Sequence, residues 1–175
     1  RIARINANGT LDASFAPGTG FNSGYVADIV VQPDGKVVAS GTFVNFAGTA
    51  VGRVVRINPS GVIDPTFNSG GAGANNWVLA LALQPDGKIV IGGSFSTYNG
   101  VAYSRILRLN TDGTPDASFV TSANNTIYDL LLIGSEHHKP LKKQLAAFNK
   151  TLKAFGNKKA ATIAAFISLS KSASV

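Results

Sequence analysis

The sequence predicts an all-β fold of propeller-type, four-stranded blades repeating every 52 residues, followed by a basic α-helical tail. Three observations predict it. The segment Arg1-Ile2-Ala3-Arg4-Ile5-Asn6, with Gly9, Asp12, Ser14 and Phe15 behind it, returns as Arg53 to Asn58 and again as Arg105 to Asn110. A second half, Val26 to Phe43 around Pro33-Asp34-Gly35, returns as Val78 to Phe95 around Pro85-Asp86-Gly87. The charge divides with the pattern. Residues 1–134 hold six Arg and two Lys against eight Asp, whereas residues 135–175 hold eight Lys against Glu136 alone. The repeat region is neutral, so the whole net charge of +7 sits in the tail.

Within the first unit, taken as residues 1–52, the arginine segment mixes β-branched and charged residues and reads as a strand. Asn8-Gly9, copied as Ser60-Gly61 and Asp112-Gly113, supplies the positive φ of a tight turn. The turn is centred on residues 7–8 or 8–9, and that choice decides which residue faces Asp12. The return strand carries Leu11, Asp12 and Phe15. After the Gly-rich stretch Pro17 to Gly24, Val26 to Val31 and Lys36 to Phe43 form a second hairpin, because proline pre-sets φ and glycine closes the turn. In its copy, Leu79 to Leu83 is apolar on both faces, which implies a strand covered on both sides. A last turn, Asn45 to Gly48 or Thr97 to Gly100, leads to the next arginine strand. A solenoid is the competing arrangement, but such turns favour antiparallel hairpins over parallel coils.

The two motif halves, recurring in phase over residues 1–119, resemble the bacterial delta-60 β-propeller repeat. The resemblance implies a secreted or surface-exposed setting without assigned catalysis. The chain departs from the pattern in its third unit, which keeps Ile127 to Leu132 and then loses the Gln-Pro-Asp-Gly-Lys hairpin. About two and a half units fall short of the roughly four blades that close a propeller. Completion by other copies, or by a missing part of a longer chain, is therefore expected. Arg1 starting mid-unit points the same way, and no signal peptide is visible.

The expected domains are a partial propeller over 1–134 and a lysine-rich amphipathic tail over 135–175. In the tail, Leu141, Leu145, Phe148, Leu152 and Phe155 share one helical face, with the lysines off it. A second helical segment is expected from Lys158 to about Leu169, its apolar run too short to span a bilayer. Such a tail suits capping of the stack or docking on a partner, and also contact with an anionic membrane. Nucleic acid is disfavoured, because its aromatics are not interleaved with the lysines for base stacking.

Candidate sites follow from residue types. One arginine of each repeated pair is expected to bind the repeated aspartate (Asp12, Asp64 or Asp116), with anion binding as the alternative. Asp34 and Asp86 read as turn residues, since calcium needs several converging oxygens. Phe15, Phe67, Phe119, Phe43 and Phe95 read as core. Tyr25, Trp77, Phe46 and Tyr98, at loop positions, are the candidates for an exposed glycan-stacking surface. Adjacent His137 and His138 make a poor metal pair, no cysteine offers a thiolate, and no catalytic grouping stands out. The expected role is a non-catalytic extracellular structural, adhesive or assembly module without cofactor. Carbohydrate binding and membrane contact through the tail are the alternatives.

Overall fold

The computed structural model describes residues 2–21, 23–133 and 164–168. Two three-stranded antiparallel sheets dominate it. The first orders β1 (Val26–Val31), β2 (Val37–Gly41) and β5 (Val54–Ile57); between β2 and β5 a short hairpin is formed by β3 (Asn45–Phe46) and β4 (Thr49–Ala50). The second repeats the plan with β6 (Val78–Leu83), β7 (Ile89–Gly93) and β10 (Ile106–Leu109), its hairpin being β8 (Thr97–Tyr98) and β9 (Val101–Ala102). A bridge from Ile57 to Ile63, and from Leu109 to Pro115, adds a fourth line of chain at each outer edge. Each sheet with its bridge is one blade.

The blade is therefore out of phase with the sequence unit. The arginine strand Val54–Ile57 belongs to the sheet begun 28 residues earlier by β1, rather than opening a new one. Before the first blade, residues 2–15 form only the outer part of another, held by the Ile5–Leu11 bridge. After the second, β11 (Asp129–Ile133) begins a further inner strand.

One turn recurs through the chain. The N–H of Gly9, Gly35, Gly61, Gly87 and Gly113 each donates to the carbonyl three residues earlier at 2.9 Å. All five glycines lie between φ 79° and 94°, the bulge position that follows a type I turn in a hairpin. The first turn is centred on residues 7–8, and the Asp12 N–H donates to the Arg4 carbonyl at 2.9 Å. That register answers which residue faces Asp12: it is Arg4.

The first strands of successive blades, β1, β6 and β11, follow one another. Each blade so presents a back face to its predecessor and a front face to its successor. Val38, Val54 and Phe67 on the front of the first blade pack with Leu81, Ile91, Phe95, Tyr98, Leu107 and Leu109 on the back of the second. Phe15 likewise meets Ala39, Phe43, Phe46, Val55 and Ile57, and Ala80, Val90 and Ile106 meet Ile127 and Leu130. The core is thus a series of equivalent layers between blades, as repeat architectures require. The phenylalanines expected in the core lie there, with Phe119 half-buried against the third layer.

The helix expected over Lys158 to Leu169 is not found at Ala164–Ser168. These residues form β12, paired in parallel with β11. The lost hairpin leaves one edge of β11 without the antiparallel partner that β2 and β7 give β1 and β6, and backbone N–H and C=O groups need partners. The amphipathic stripe Leu141, Leu145, Phe148, Leu152 and Phe155 lies outside the described residues, as do His137 and His138.

Candidate functional site

The repeated charges converge on one node per blade. A hairpin places Arg56 on β5 opposite Asp64, and Nε donates to Oδ2 at 2.9 Å with both residues buried. Nη2 reaches the Thr66 hydroxyl, the guanidinium lies 4.7 Å over the Phe67 ring, and Nη1 donates to the Thr111 carbonyl of the next blade. Arg4 repeats the set with Asp12 (2.8 Å), Ser14, Phe15 and the Pro59 carbonyl of the next blade (2.8 Å). Arg108 repeats it with Asp116, Ser118 and Phe119. The second arginine of each pair therefore both closes its own hairpin and, in the first two copies, ties it to the following blade.

Burial pushes the Asp64 carboxyl up, but the Thr66 hydroxyl and N–H, with Lys36 and Arg56, hold it well below the ordinary carboxylate range. Asp116 is held equally low, chiefly by the Lys88 ammonium and the Ser118 hydroxyl. Lys36 stands 3.2 Å from Asp64 and Lys88 2.7 Å from Asp116. The sequence reading missed these lysines as node members. Their signal was there: both follow Pro-Asp-Gly and precede the node aspartate by 28 residues.

The first arginine of each pair has a different task. Arg53 and Arg105 occupy the left-handed region at φ 68° and 69°, and donate from Nη1 to the carbonyls of Ala74 and Ser94. All the described arginines are so engaged within the chain, which favours the pairing expectation over anion binding.

The four candidate stacking aromatics do not stay together. Tyr25 and Trp77 are 55% and 48% exposed at equivalent positions, just before β1 and β6. Phe46 and Tyr98 are 0% exposed, so neither belongs to a surface. The reason is the short hairpin, which folds down onto the sheet instead of standing out as a loop. Its turns use φ 48° and 83° at Ala47-Gly48, and 50° and 79° at Asn99-Gly100, the type I′ pattern. Phe21 then bridges to Phe46, and Ala74 to Tyr98. The Tyr98 hydroxyl donates to the Gly113 carbonyl at 3.1 Å, and burial pushes the phenol pKa upward, so it remains a donor.

The repeated Gly-x-Phe segment helps place the exposed pair. A Cβ at Gly41 or Gly93 would lie 2.1 Å from the carbonyl oxygen of Tyr25 or Trp77. Those carbonyls accept the N–H groups of Thr42 and Ser94 at 3.0 and 2.9 Å, which fixes the entry to each inner strand. Asp34 and Asp86 accept the N–H groups of Lys36 and Lys88 at 3.1 Å, a turn role. Among the described residues no three His, Cys, Asp or Glu side chains gather as a metal site would need.

Comparison with known proteins agrees with this geometry. Residues 1–15, 32–67 and 84–119 match the family model described as Domain of unknown function (DUF5122) beta-propeller. No curated protein and no solved structure matches the chain. The matched segments cover the arginine strands, the Pro-Asp-Gly turns and the node aspartates, and with the blade geometry they support a propeller-like repeat architecture.

Proposed function

We propose that the protein is a non-catalytic structural module of an extracellular or cell-surface assembly, in which its incomplete set of blades is completed by further β-structure. One observation carries the reading. Equivalent positions in successive copies share their residue types but not their burial. Ile5 is 59% exposed where Ile57 and Leu109 are 0%, and Ile29 is 49% exposed where Leu81 is 5%. The later copies are covered by the chain before them, whereas Ile5 and Leu11 in residues 2–15, and Ile29 and Val31 on β1, remain exposed. Apolar side chains left exposed at positions that are buried in the other copies are candidates for an association surface. The basic tail, with its stripe from Leu141 to Phe155, is a second docking element in this reading, and contact with an anionic membrane is its other use.

The test is the mass of the full chain in solution by light scattering. Association weakened by Ile29→Lys supports the reading. A monomer at every concentration, with Ile29→Lys as stable as the parent, sinks it.

Carbohydrate binding is the second reading, favoured by Tyr25 and Trp77 exposing rings at equivalent sites on neighbouring blades. It expects saturable glycan binding that Trp77→Ala abolishes. Screening that finds no saturable ligand removes it.

A further inference from the structure

An Asn-Gly pair is a point where a side-chain amide can react with its own backbone, because glycine puts no Cβ beside the attacking nitrogen. The sequence holds two, Asn8-Gly9 and Asn99-Gly100, and both lie in hairpin turns. Their surroundings differ. The Asn8 amide is held by its oxygen alone: the Thr10 N–H and hydroxyl donate to Oδ1 at 3.1 and 2.7 Å, and among the described residues Nδ2 has no partner. The Asn99 amide is clamped at both ends. Its Nδ2 donates to Asn68 Oδ1 at 2.6 Å, while its Oδ1 accepts from Asn68 Nδ2 at 3.2 Å and from the Gly73 N–H at 2.7 Å.

Burial follows the same division. Asn8 is exposed, and this belongs to the turn itself: Ser60 and Asp112 in the equivalent places are exposed too, although their carbonyls accept the N–H groups of Ala16 and Asn68 from an earlier repeat. Asn99 is half-buried beside the fully buried Tyr98, and its own N–H donates to the Gly73 carbonyl at 2.8 Å. The third copy displays the product that Asn8 would give. Asp112 stands in its place and Thr114 in that of Thr10, and Asp112 Oδ1 accepts the Thr114 N–H and hydroxyl at 2.9 and 2.6 Å. An aspartate at position 8 therefore fits the turn as it stands.

We infer that Asn8 is a site of spontaneous deamidation, with water as the co-reactant, and that the Asn68–Asn99 amide pair protects the second Asn-Gly turn from the same reaction. The Gly9 nitrogen, released from the Asn6 carbonyl and losing its proton to hydroxide, bonds to Asn8 Cγ. The Cγ–Nδ2 bond breaks, and Nδ2 takes a proton from water and leaves as ammonia, so hydroxide is regenerated and a five-membered succinimide remains. Water then opens the ring at Cγ to give aspartate, or at the backbone carbonyl to give isoaspartate. The Thr10 donors face the oxygen on which negative charge builds as the nitrogen attacks, and donors so placed stabilise an oxyanion. Aspartate keeps the turn and adds one negative charge to a repeat region whose charges otherwise balance. Isoaspartate inserts a methylene into the backbone, which displaces the Gly9–Asn6 and Asp12–Arg4 hydrogen bonds that set the register of this hairpin.

The test holds the folded full chain in mildly alkaline buffer and follows both turns by peptide mapping and mass spectrometry, with isoaspartate read by enzymatic methylation. Asn8 is expected to convert at least about tenfold faster than Asn99, since a hydrogen bond held by the departing nitrogen is worth up to about a factor of ten in rate. In urea, with both turns open, the two rates should converge. Asn68→Gly removes the clamp at a residue whose φ of 52° glycine adopts freely, and it should raise the Asn99 rate toward that of Asn8. Thr10→Val removes the hydroxyl donor and should slow Asn8 while leaving Asn99 unchanged. Equal rates at the two turns of the folded parent, or an Asn8 that converts only in urea, overturn the inference. So does an Asn99 that stays inert in folded Asn68→Gly. The comparison within the parent chain decides the matter even if that variant fails to fold.

Discussion

Replacing Asp64 by alanine should be among the most damaging single changes in this chain, and the same change at Asp12 should be much milder. Asp64 is 4% exposed and accepts from Arg56 at 2.9 Å, from Lys36 at 3.2 Å, and from the N–H and hydroxyl of Thr66 at 3.0 and 2.6 Å. Its loss leaves the buried Arg56 guanidinium without a counter-charge. Truncating one partner of a buried ion pair costs about 3–5 kcal/mol, because the remaining charge has neither water nor a partner. The Phe67 ring and the Thr111 carbonyl stay in place and soften this, which favours the lower end of the range. Asp12 makes the same hydrogen bonds to Arg4 and Ser14, but with water at hand on both side chains, so solvent takes over when it is removed. Urea denaturation followed by circular dichroism measures both. Midpoints for Asp64→Ala and Asp12→Ala that fall by the same amount, at unchanged slope, refute the argument that burial sets the value of the node.

Other consequences follow from the same geometry. Gly93→Ala should lower stability by about 1–3 kcal/mol, the usual cost of overpacking, since its Cβ would lie 2.1 Å from the Trp77 carbonyl oxygen. An unchanged urea midpoint contradicts that. Tyr98→Phe removes a buried donor from the Gly113 carbonyl and should cost about 1–2 kcal/mol by the same assay, with the fold retained. Stability should also depend on acid in a defined direction. Asp64 and Asp116 are held below the ordinary aspartate value of 3.8 in the folded state, so the folded state binds fewer protons than the unfolded one as pH falls through that range. Their contribution is complete well above 3.8 and is lost progressively as pH drops below it, which thermal melts from neutral pH downward measure. Asp64→Asn should flatten that dependence.

Much of this was legible in the sequence because repetition exposes what each position requires. The five turn glycines are set by local backbone geometry, and β-branched and apolar runs between turns located the three main strands of each blade, while the short hairpins β3–β4 and β8–β9 read only as turns. The Arg–Asp pairing was visible because the charges recur in phase within a neutral region. The blade boundary was not. An arginine strand can pair with the turn that follows it or with β2 before it, and it does both, so no local signal shows that the sheet straddles two units. Phe46 and Tyr98 looked like loop aromatics because their flanking residues are small and polar. Their burial comes from a type I′ hairpin folding onto Phe21 and Ala74, contacts made across more than 20 residues.

The sequence by itself determined the period, the glycine turns, the main strands and the Arg–Asp partners, since these depend on φ, on residue patterning and on short-range pairing. Only the tertiary structure decided which face of each blade is covered. Burial at a repeated position depends on whether another blade stands behind it, so identical isoleucines at 5 and 57 have different surroundings.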